Sequence, residues 1–358
     1  MSLMGHSLPI HLGTVPANVR CARNSDLSRC SFATRSARKR IVSITPIRRA
    51  GTAIRTFLKS DIVSCYVEND MWTAEQRGAM TEATEAGART SGAIIRRIAD
   101  EAFAAFNSGG RQVPLFSARY PDFNLDDAYR VTALTNSMRT AQHYKPLGRK
   151  IGFTNRRMWD EYGVRAPNWG YVYDRTMHDL AVPLSLAPYT EPKIEPEIMF
   201  GLAAAPSPGM DDAALLSCIA WVAHGFEIVQ SIFPNWKFSA ADSVVADAMH
   251  GALLVGPHHD IDSRAGEWLR TLASFDIELY CDGQLMDRGH ASNVLEGPLS
   301  AMRHLVEMLA HDPDNLPLAA GEIVSTGTLT RALPVKAGET WTTKLKDIAL
   351  EGISLRFC

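Results

Sequence analysis

Cysteine is sparse and unpaired in this sequence: six residues in 358, Cys21, Cys30, Cys65, Cys218, Cys281 and Cys358, with no CxxC pair. That excludes a disulfide-stapled scaffold and a cysteine-ligated zinc centre, and it fits a reducing, cytoplasmic compartment. Apolar runs of about 18 residues, the length of a membrane-crossing helix, are also lacking. So is net charge: −2 over the whole chain excludes a protein that is basic throughout and binds nucleic acid along its length. No fixed-period repeat and no low-complexity linker interrupts residues 90–358, which argues against a solenoid or a string of small modules. What is present is an ordinary globular composition, 46% apolar and 21% charged, with enough apolar mass for a large core.

The near-zero charge hides an asymmetry. Residues 1–60 carry eleven Lys or Arg against one acid, Asp26, which leaves the remainder strongly acidic. Rich in Arg and Ser and without a hydrophobic signal core, residues 1–80 read as a disordered basic extension or as sequence upstream of a start at Met80. A transit peptide or a tail that binds nucleic acid are the alternatives, and neither changes the reading of the body.

From Thr90 the periodicities become regular. Ile94, Ile95, Ile98, Ala102, Phe103 and Phe106 predict a helix stopped by Gly109-Gly110, and Asn124 predicts the cap of a second one. Strands are expected at Gly148–Phe153, Trp169–Tyr173, Ile194–Leu202 and Gly225–Ile232, and a helix from Asp211-Asp212 through Ile219 and Val222. Asp282-Gly283 predicts a hairpin between Phe275–Tyr280 and Gln284–Met286, and Pro298–Leu309 a helix. Strands at Gly321–Ser325, Trp341–Leu345 and Ile348–Arg356 complete a strand-rich end. The expectation is one α+β domain over 90–358, with a helical N-terminal part and a large, mainly non-parallel sheet system.

Chemistry concentrates in Lys193-Ile194-Glu195-Pro196-Glu197. Residues two apart on a strand share a face, so Glu195 and Glu197 would lie side by side and raise each other's pKa unless a cation intervenes. Pro196 cannot donate to a ladder and points to an edge or a bulge. Glu227 lies in the apolar run Ala223–Val229, where an unpaired carboxylate is costly. Three carboxylates without cysteine suit a hard cation, Mg²⁺ or Mn²⁺. His224, in the same apolar run, reads as a packed histidine rather than a ligand.

The ordered series Gly148-Arg149-Lys150-Ile151-Gly152, Pro167-Asn168-Trp169-Gly170, Glu195-Pro196-Glu197, Glu227, Asn235-Trp236, Asp242, Ala246-Asp247 and Ser325-Thr326-Gly327-Thr328 resembles one branch of the fumarylacetoacetate hydrolase superfamily. It is the 2-keto-4-pentenoate hydratase and 4-oxalocrotonate decarboxylase branch, matched over roughly residues 90–357. The resemblance implies a mixed β-sandwich or β-roll with flanking helices. It implies one Mg²⁺ or Mn²⁺ held by Glu195, Glu197 and Glu227, and a 2-oxo or 2-hydroxy-dienoic acid substrate from aromatic catabolism. Lys150 is then the catalytic residue, its pKa depressed by the nearby dication so that it moves protons or binds the substrate carboxylate. Thr326 and Gly327 are expected at the substrate, Arg149 on the opposite side of its strand, and Asp247 either near Lys237 or a water or as a buried structural acid. Homo-oligomerisation also follows from the resemblance.

The chain departs from the hydratase pattern at three places. Asn168 stands where an acid is usual. Ala246-Asp247-Ala248-Met249-His250 replaces A-D-N-A-S, so that Met249 is expected in place of a small hydroxyl residue in the pocket. Val294–Leu299 replaces V-L-G-H-P-L. The metal residues are intact, and the activity implied is a hydro-lyase that hydrates a 2-hydroxy-2,4-dienoate. Decarboxylation of a vinylogous 2-oxo diacid is the alternative. Hydrolysis of an acylpyruvate C–C bond comes third, because residues 90–147 offer only His143 as an imidazole base.

Overall fold

The computed structural model describes residues 92–358 except 109, 110, 157, 158, 163, 262 and 263, and, of residues 1–91, only the backbone of five strands. Those strands are β1 (Asn18–Cys21), β2 (Arg29–Ala33) and β3 (Arg40–Ser43) in one antiparallel sheet, and the antiparallel pair β4 (Thr52–Lys59) and β5 (Ile62–Asn69). The chain divides into two compact units after Ala88. The expectation of a disordered extension over 1–80 falls for the most part outside the described residues, as do Met80 and the Gly109-Gly110 stop.

The second unit opens with helix α1, residues 92–107, α2 (Phe116–Arg119) and α3 (Leu125–Ala141). Asn124 caps α3 as expected, its side chain accepting from the Asp127 amide at 3.0 Å. The main sheet follows the order β7-β6-β15-β9-β10-β11-β8. In chain order these are β6 (Pro146–Gly152), β7 (Asn168–Tyr173), β8 (Met177–His178), β9 (Lys193–Leu202), β10 (Ile219–Val229), β11 (His250–Val255) and β15 (Ile323–Thr328). Its pairs are antiparallel except β6 with β15 and β8 with β11, in keeping with a mainly non-parallel sheet system. Short strands β12 (His259–Asp260) and β16 (Leu333–Pro334) pair with β10 and β9. A second antiparallel sheet has the order β14-β13-β17-β18, from β13 (Asp276–Cys281), β14 (Gln284–His290), β17 (Thr340–Lys346) and β18 (Ser354–Arg356). Helices α4 (Trp159–Tyr162), α5 (Asp212–Ser217), α6 (Ala240–Val245), α7 (Ala265–Thr271) and α8 (Pro298–Ala310) lie between these strands in sequence.

Two expectations need correction. The helix after Asp211-Asp212 ends at Ser217, and Ile219 and Val222 belong to β10. β-Branched residues flanking Trp221 suit a pleated surface better than a helix, and pairing with β9 along the whole strand decides the matter. Likewise Thr326-Gly327-Thr328 does not follow its strand but forms the end of β15.

Alternation along β9 and β10 sorts their side chains. Ile194, Ile198, Phe200, Val222, Phe226 and Ile228 enter apolar cores. One is built with Trp268, Met302 and Leu305 of α7 and α8, the other with Leu279, Trp341 and Leu355 of the small sheet. The alternate residues, Glu195, Glu197 and Glu227 among them, face the other way. A separate apolar cluster unites α1, α2, α3 and α6 with Val229 and Met249. Asp242 ties this helical layer together. Fully buried, it accepts from the Phe116 and Ser117 amides at 2.8 and 3.0 Å, and from the Ser239 amide and hydroxyl at 3.1 and 2.7 Å.

Asp242→Ala should therefore strand several buried donors at once and cost about 3 kcal/mol of stability. Urea unfolding followed by far-UV circular dichroism measures it. A midpoint equal to the wild type would show that α2 and α6 are held together by apolar packing alone.

Candidate metal and acid–base site

Glu195 and Glu227 face each other directly across the β9–β10 ladder, and Glu197, two residues along, faces Gly225. The three carboxylates lie within 4.8 Å of one another, oxygen to oxygen. Glu197 and Glu227 are completely buried (0% exposed), whereas Glu195 is partly open to solvent. β9 lies between β15 and β10 rather than at an edge, so the bulge reading of Pro196 holds and the edge reading does not. The Pro196 carbonyl accepts from the Leu329 amide at 2.9 Å, beside the register shift between Ser325 and Thr328 of β15.

Each buried glutamate has one oxygen anchored and one without a hydrogen-bond partner. Glu197 Oε2 accepts from the Ser325 hydroxyl and from the Gly327 amide at 2.9 Å, and its Oε1 has none. Gly327 is at φ +101°, and a Cβ there would lie 2.2 Å from Thr154 Oγ1, so only glycine brings this amide to the carboxylate. Glu227 Oε1 is bonded to His250 Nδ1 at 2.8 Å. Its Oε2 has the Lys150 ammonium at 3.2 Å, a charge contact off the line of a hydrogen bond.

Lys150 comes from β6, where it pairs with Ser325 of β15 and Gly170 of β7. Its Nζ donates to the Ala248 carbonyl at 2.9 Å. Burial opposes its charge, but Glu227, Glu195 and Glu197 outweigh that and raise its pKa above the ordinary lysine value. The three carboxylates around it favour the ammonium form. Burial likewise pushes Glu195 up to about 7 and Glu197 well above the ordinary carboxylate value, with Glu227 adding to both. Glu227 alone is lowered: burial raises it, and Lys150 and His250 together more than reverse that.

The other expected residues fall unequally. Asn168 opens β7 with its Nδ2 donating to Ser243 Oγ at 2.9 Å, while its buried Oδ1 has no partner. That oxygen and Lys150 Nζ approach the same space above Gly152, where a Cβ would meet them at 2.3 and 3.6 Å. Thr326 is buried with its hydroxyl donating to the Ile198 carbonyl at 2.8 Å, and it is Ser325 and Gly327 on either side that reach Glu197. Met249 packs in the helical apolar cluster with Val229 and Val245. Position by position, it is His250 and not Met249 that stands at the serine of the A-D-N-A-S pattern. Asp247 pairs with Arg139 rather than Lys237, and His224 is packed, with Nδ1 2.9 Å from the Glu197 carbonyl. His143, the base considered for hydrolysis, is exposed beyond the end of α3.

An all-oxygen set with two buried, unpartnered carboxylate oxygens fits a hard divalent cation. Among the described residues no helix is long and apolar enough to cross a membrane.

Comparison with known proteins follows the same line. No family model matches the chain. It is 28% identical over 254 residues to a 2-hydroxyhexa-2,4-dienoate hydratase of Comamonas testosteroni, covering 70% of this chain and 91% of that protein. It is 28% identical over 251 residues to a 4-oxalocrotonate decarboxylase of Pseudomonas sp. strain CF600, covering 68% and 90%. Among solved structures, 4-oxalocrotonate decarboxylase from Pseudomonas putida G7, complexed with magnesium and adipate, superposes with a TM-score of 0.67 at 24% identity. That match covers 75% of this chain and 98% of the other, and it establishes a shared mixed α/β fold. The resemblance to the hydratase and decarboxylase branch therefore extends from ordered motifs to sequence and fold.

The raised carboxyls set a pH dependence. Glu195 and Glu197 bind a proton more tightly folded than unfolded, so their contribution to stability is full below about 4.5 and is lost as pH rises through the folded values, about 7 for Glu195. Glu227, lowered, acts only at the acid side of that window. The thermal midpoint of ion-free protein should fall between about pH 5 and pH 8. Mn²⁺, competing with those protons, should raise the midpoint more at pH 8 than at pH 6. Thermal scans at both pH values test this, and a larger Mn²⁺ effect at pH 6 would argue against carboxylate ligation.

Proposed function

We propose that this chain is a divalent-metal-dependent hydro-lyase of aromatic catabolism, hydrating a 2-hydroxy-2,4-dienoate by way of its 2-oxo tautomer to a 4-hydroxy-2-oxo acid. The observation that carries the reading is the convergence of three carboxylates, two of them with a bare buried oxygen, on the ammonium of Lys150. The names of its relatives, a dienoate hydratase among them, support the same substrate class. Glu195, Glu197 and Glu227 would hold Mg²⁺ or Mn²⁺. When bound, such an ion supplies positive charge beside the C1 carboxylate and C2 oxygen of the acid, where negative charge develops.

The chain's own groups do the rest. One N–H of the Lys150 ammonium is taken by the Ala248 carbonyl and Glu227 is a charge contact, which leaves N–H groups for the reacting acid. As a protonated group, Lys150 acts first as a donor at Nζ, placing a proton on C5 while the 2-hydroxyl gives its own proton to water and the 2-hydroxydiene becomes the 2-oxo-3-ene. Deprotonated by that step, it can then accept a proton from the water that adds at C4, and the C2–C3 enolate so formed takes up the proton released from the 2-hydroxyl at C3, for a net addition of one water. Asn168 is proposed to meet the substrate or that water through its unpartnered Oδ1. Met249 and the backbone of Thr326 and Gly327 are proposed to shape the pocket wall, the Thr326 hydroxyl being committed to Ile198. The proposal places catalysis in residues 90–358, outside the 1–80 segment, in a cytoplasmic homo-oligomer.

Lys150→Ala should lower turnover of 2-hydroxypenta-2,4-dienoate by about 10²–10⁴-fold. It should leave Mn²⁺ affinity equal or higher, since a competing cation leaves Glu227. Glu195→Ala should instead weaken Mn²⁺ binding, so that high Mn²⁺ restores part of the rate. Rate measured against Mn²⁺ concentration for both variants separates the roles. Wild-type turnover by Lys150→Ala would sink the catalytic assignment.

A further inference from the structure

We propose that His250 is a positioning residue for the ion: its Nδ1–H holds Glu227 Oε1 so that Oε2 is the oxygen presented to the metal. The inference rests on the metal reading above and goes beyond it, since it concerns a residue outside the three carboxylates and Lys150.

The geometry is two-ended. His250 is buried (4% exposed) at the start of β11, with Nδ1 2.8 Å from Glu227 Oε1 and Nε2 2.8 Å from Thr176 Oγ1. A carboxylate oxygen has no proton to give, so Glu227 Oε1 accepts and Nδ1 donates. Thr176 is itself fixed, accepting from the Tyr173 amide at 3.1 Å and donating to the Tyr173 carbonyl at 3.0 Å. The imidazole thus bridges a rigid turn to a buried carboxylate. A serine at this position, with one oxygen, cannot span both.

The backbone is shaped for this contact. Glu227 pairs with Leu253 and Ile228 with Ala252, and regular alternation would put His250 on the Ala252 face, away from Glu227. The register shifts between Ile228 and Val229, so that Val229 pairs with His250, and this bulge turns the imidazole onto the carboxylate. With Oε1 held on the His250 side, Oε2 is left beside Lys150 and the other two glutamates. Without that hold, Glu227 can rotate to give both oxygens to Lys150, at the expense of the ion.

Mn²⁺ titration by calorimetry tests the idea on wild type, His250→Asn and His250→Gln, with thermal midpoints in EDTA as the measure of folding. Asn places an amide donor near the Nδ1 position and Gln near the Nε2 position. His250→Asn should stay within a few-fold of the wild-type Kd, whereas His250→Gln should bind about 10–100-fold more weakly, the usual loss when a ligand's supporting hydrogen bond is removed. A mere packing role would shift both variants alike. Equal affinity of wild type and His250→Gln, or equal loss in both variants, overturns the inference and leaves the metal reading standing. Absence of Mn²⁺ binding by the wild type overturns both. If either His250 variant fails to fold, Thr176→Val keeps the imidazole and removes its rear anchor. It should weaken Mn²⁺ roughly tenfold, and an unchanged Kd in that variant also overturns the inference.

Discussion

Three carboxylates on one face of a single strand pair, two of them shut away from water, form the constraint around which the rest of this site is arranged. Removing a carboxylate from water costs several kcal/mol even after relaxation, and placing like charges within hydrogen-bonding reach adds to it. The chain offsets part of this with groups drawn from three separate elements. Lys150 comes from β6, Ser325 and the Gly327 amide from β15, and His250 from β11. None of these supplies the remaining oxygens of Glu197 and Glu227 with a hydrogen bond. A fold that needed these acids only for stability would do better with apolar side chains of the same size. Their retention in a buried sheet is intelligible if a cation completes the charge balance.

The placement of Lys150 carries a second cost in backbone strain. Asp247, Ala248 and Met249 all adopt left-handed φ, at 57°, 50° and 67°. For residues other than glycine such conformations cost about 1–3 kcal/mol each and persist only where their surroundings over-determine them. Here the surroundings are Asp247's ion pair with Arg139 and its acceptance of the Tyr171 amide at 2.9 Å. Arg139 is braced in turn over the rings of Phe106 and Tyr173. Gly170 lets the segment approach, for a Cβ there would lie 2.1 Å from the Asp247 carbonyl. The product of this clamp is the Ala248 carbonyl pointing at Lys150 Nζ. The helical layer thus acts on the chemistry through α3 and one strained turn, without contributing a side chain to the carboxylate group.

Much of this was legible in the sequence where periodicity and chemistry agreed. The two-residue spacing of Glu195 and Glu197 put them on one strand face, and an acid in the apolar run around Glu227 marked a buried charge. The stripe Leu299, Met302, Leu305 and Leu309 is the buried side of α8. The cap at Asn124 is where the composition placed it. What could not be read was any feature set by partners distant in sequence. The helix after Asp212 gives way to β10 because β9 is there to pair with it. Lys150 is drawn toward the ammonium form because three carboxylates from β9 and β10 meet it. Asp247 finds Arg139, more than a hundred residues earlier, and not the nearby Lys237.

The side chains that reach the carboxylates sit beside irregular pairing. Ser325 and the Gly327 amide flank Thr326, and His250 follows Met249. In each case a register shift lies within a few residues, between Ser325 and Thr328 in β15 and between Ile228 and Val229 opposite β11. A bulge changes which side chains reach a given face, and it leaves little trace in a pattern of apolar and polar residues. On β15 it lets Ser325 and the Gly327 amide converge on one oxygen of Glu197. On β11 it turns His250 onto one oxygen of Glu227. The two ladders that flank β9 and β10 are therefore irregular beside the carboxylates themselves. A regular sheet would direct alternate side chains to opposite faces, and only by breaking its own period can it bring both a residue and its neighbours to bear on a single buried acid.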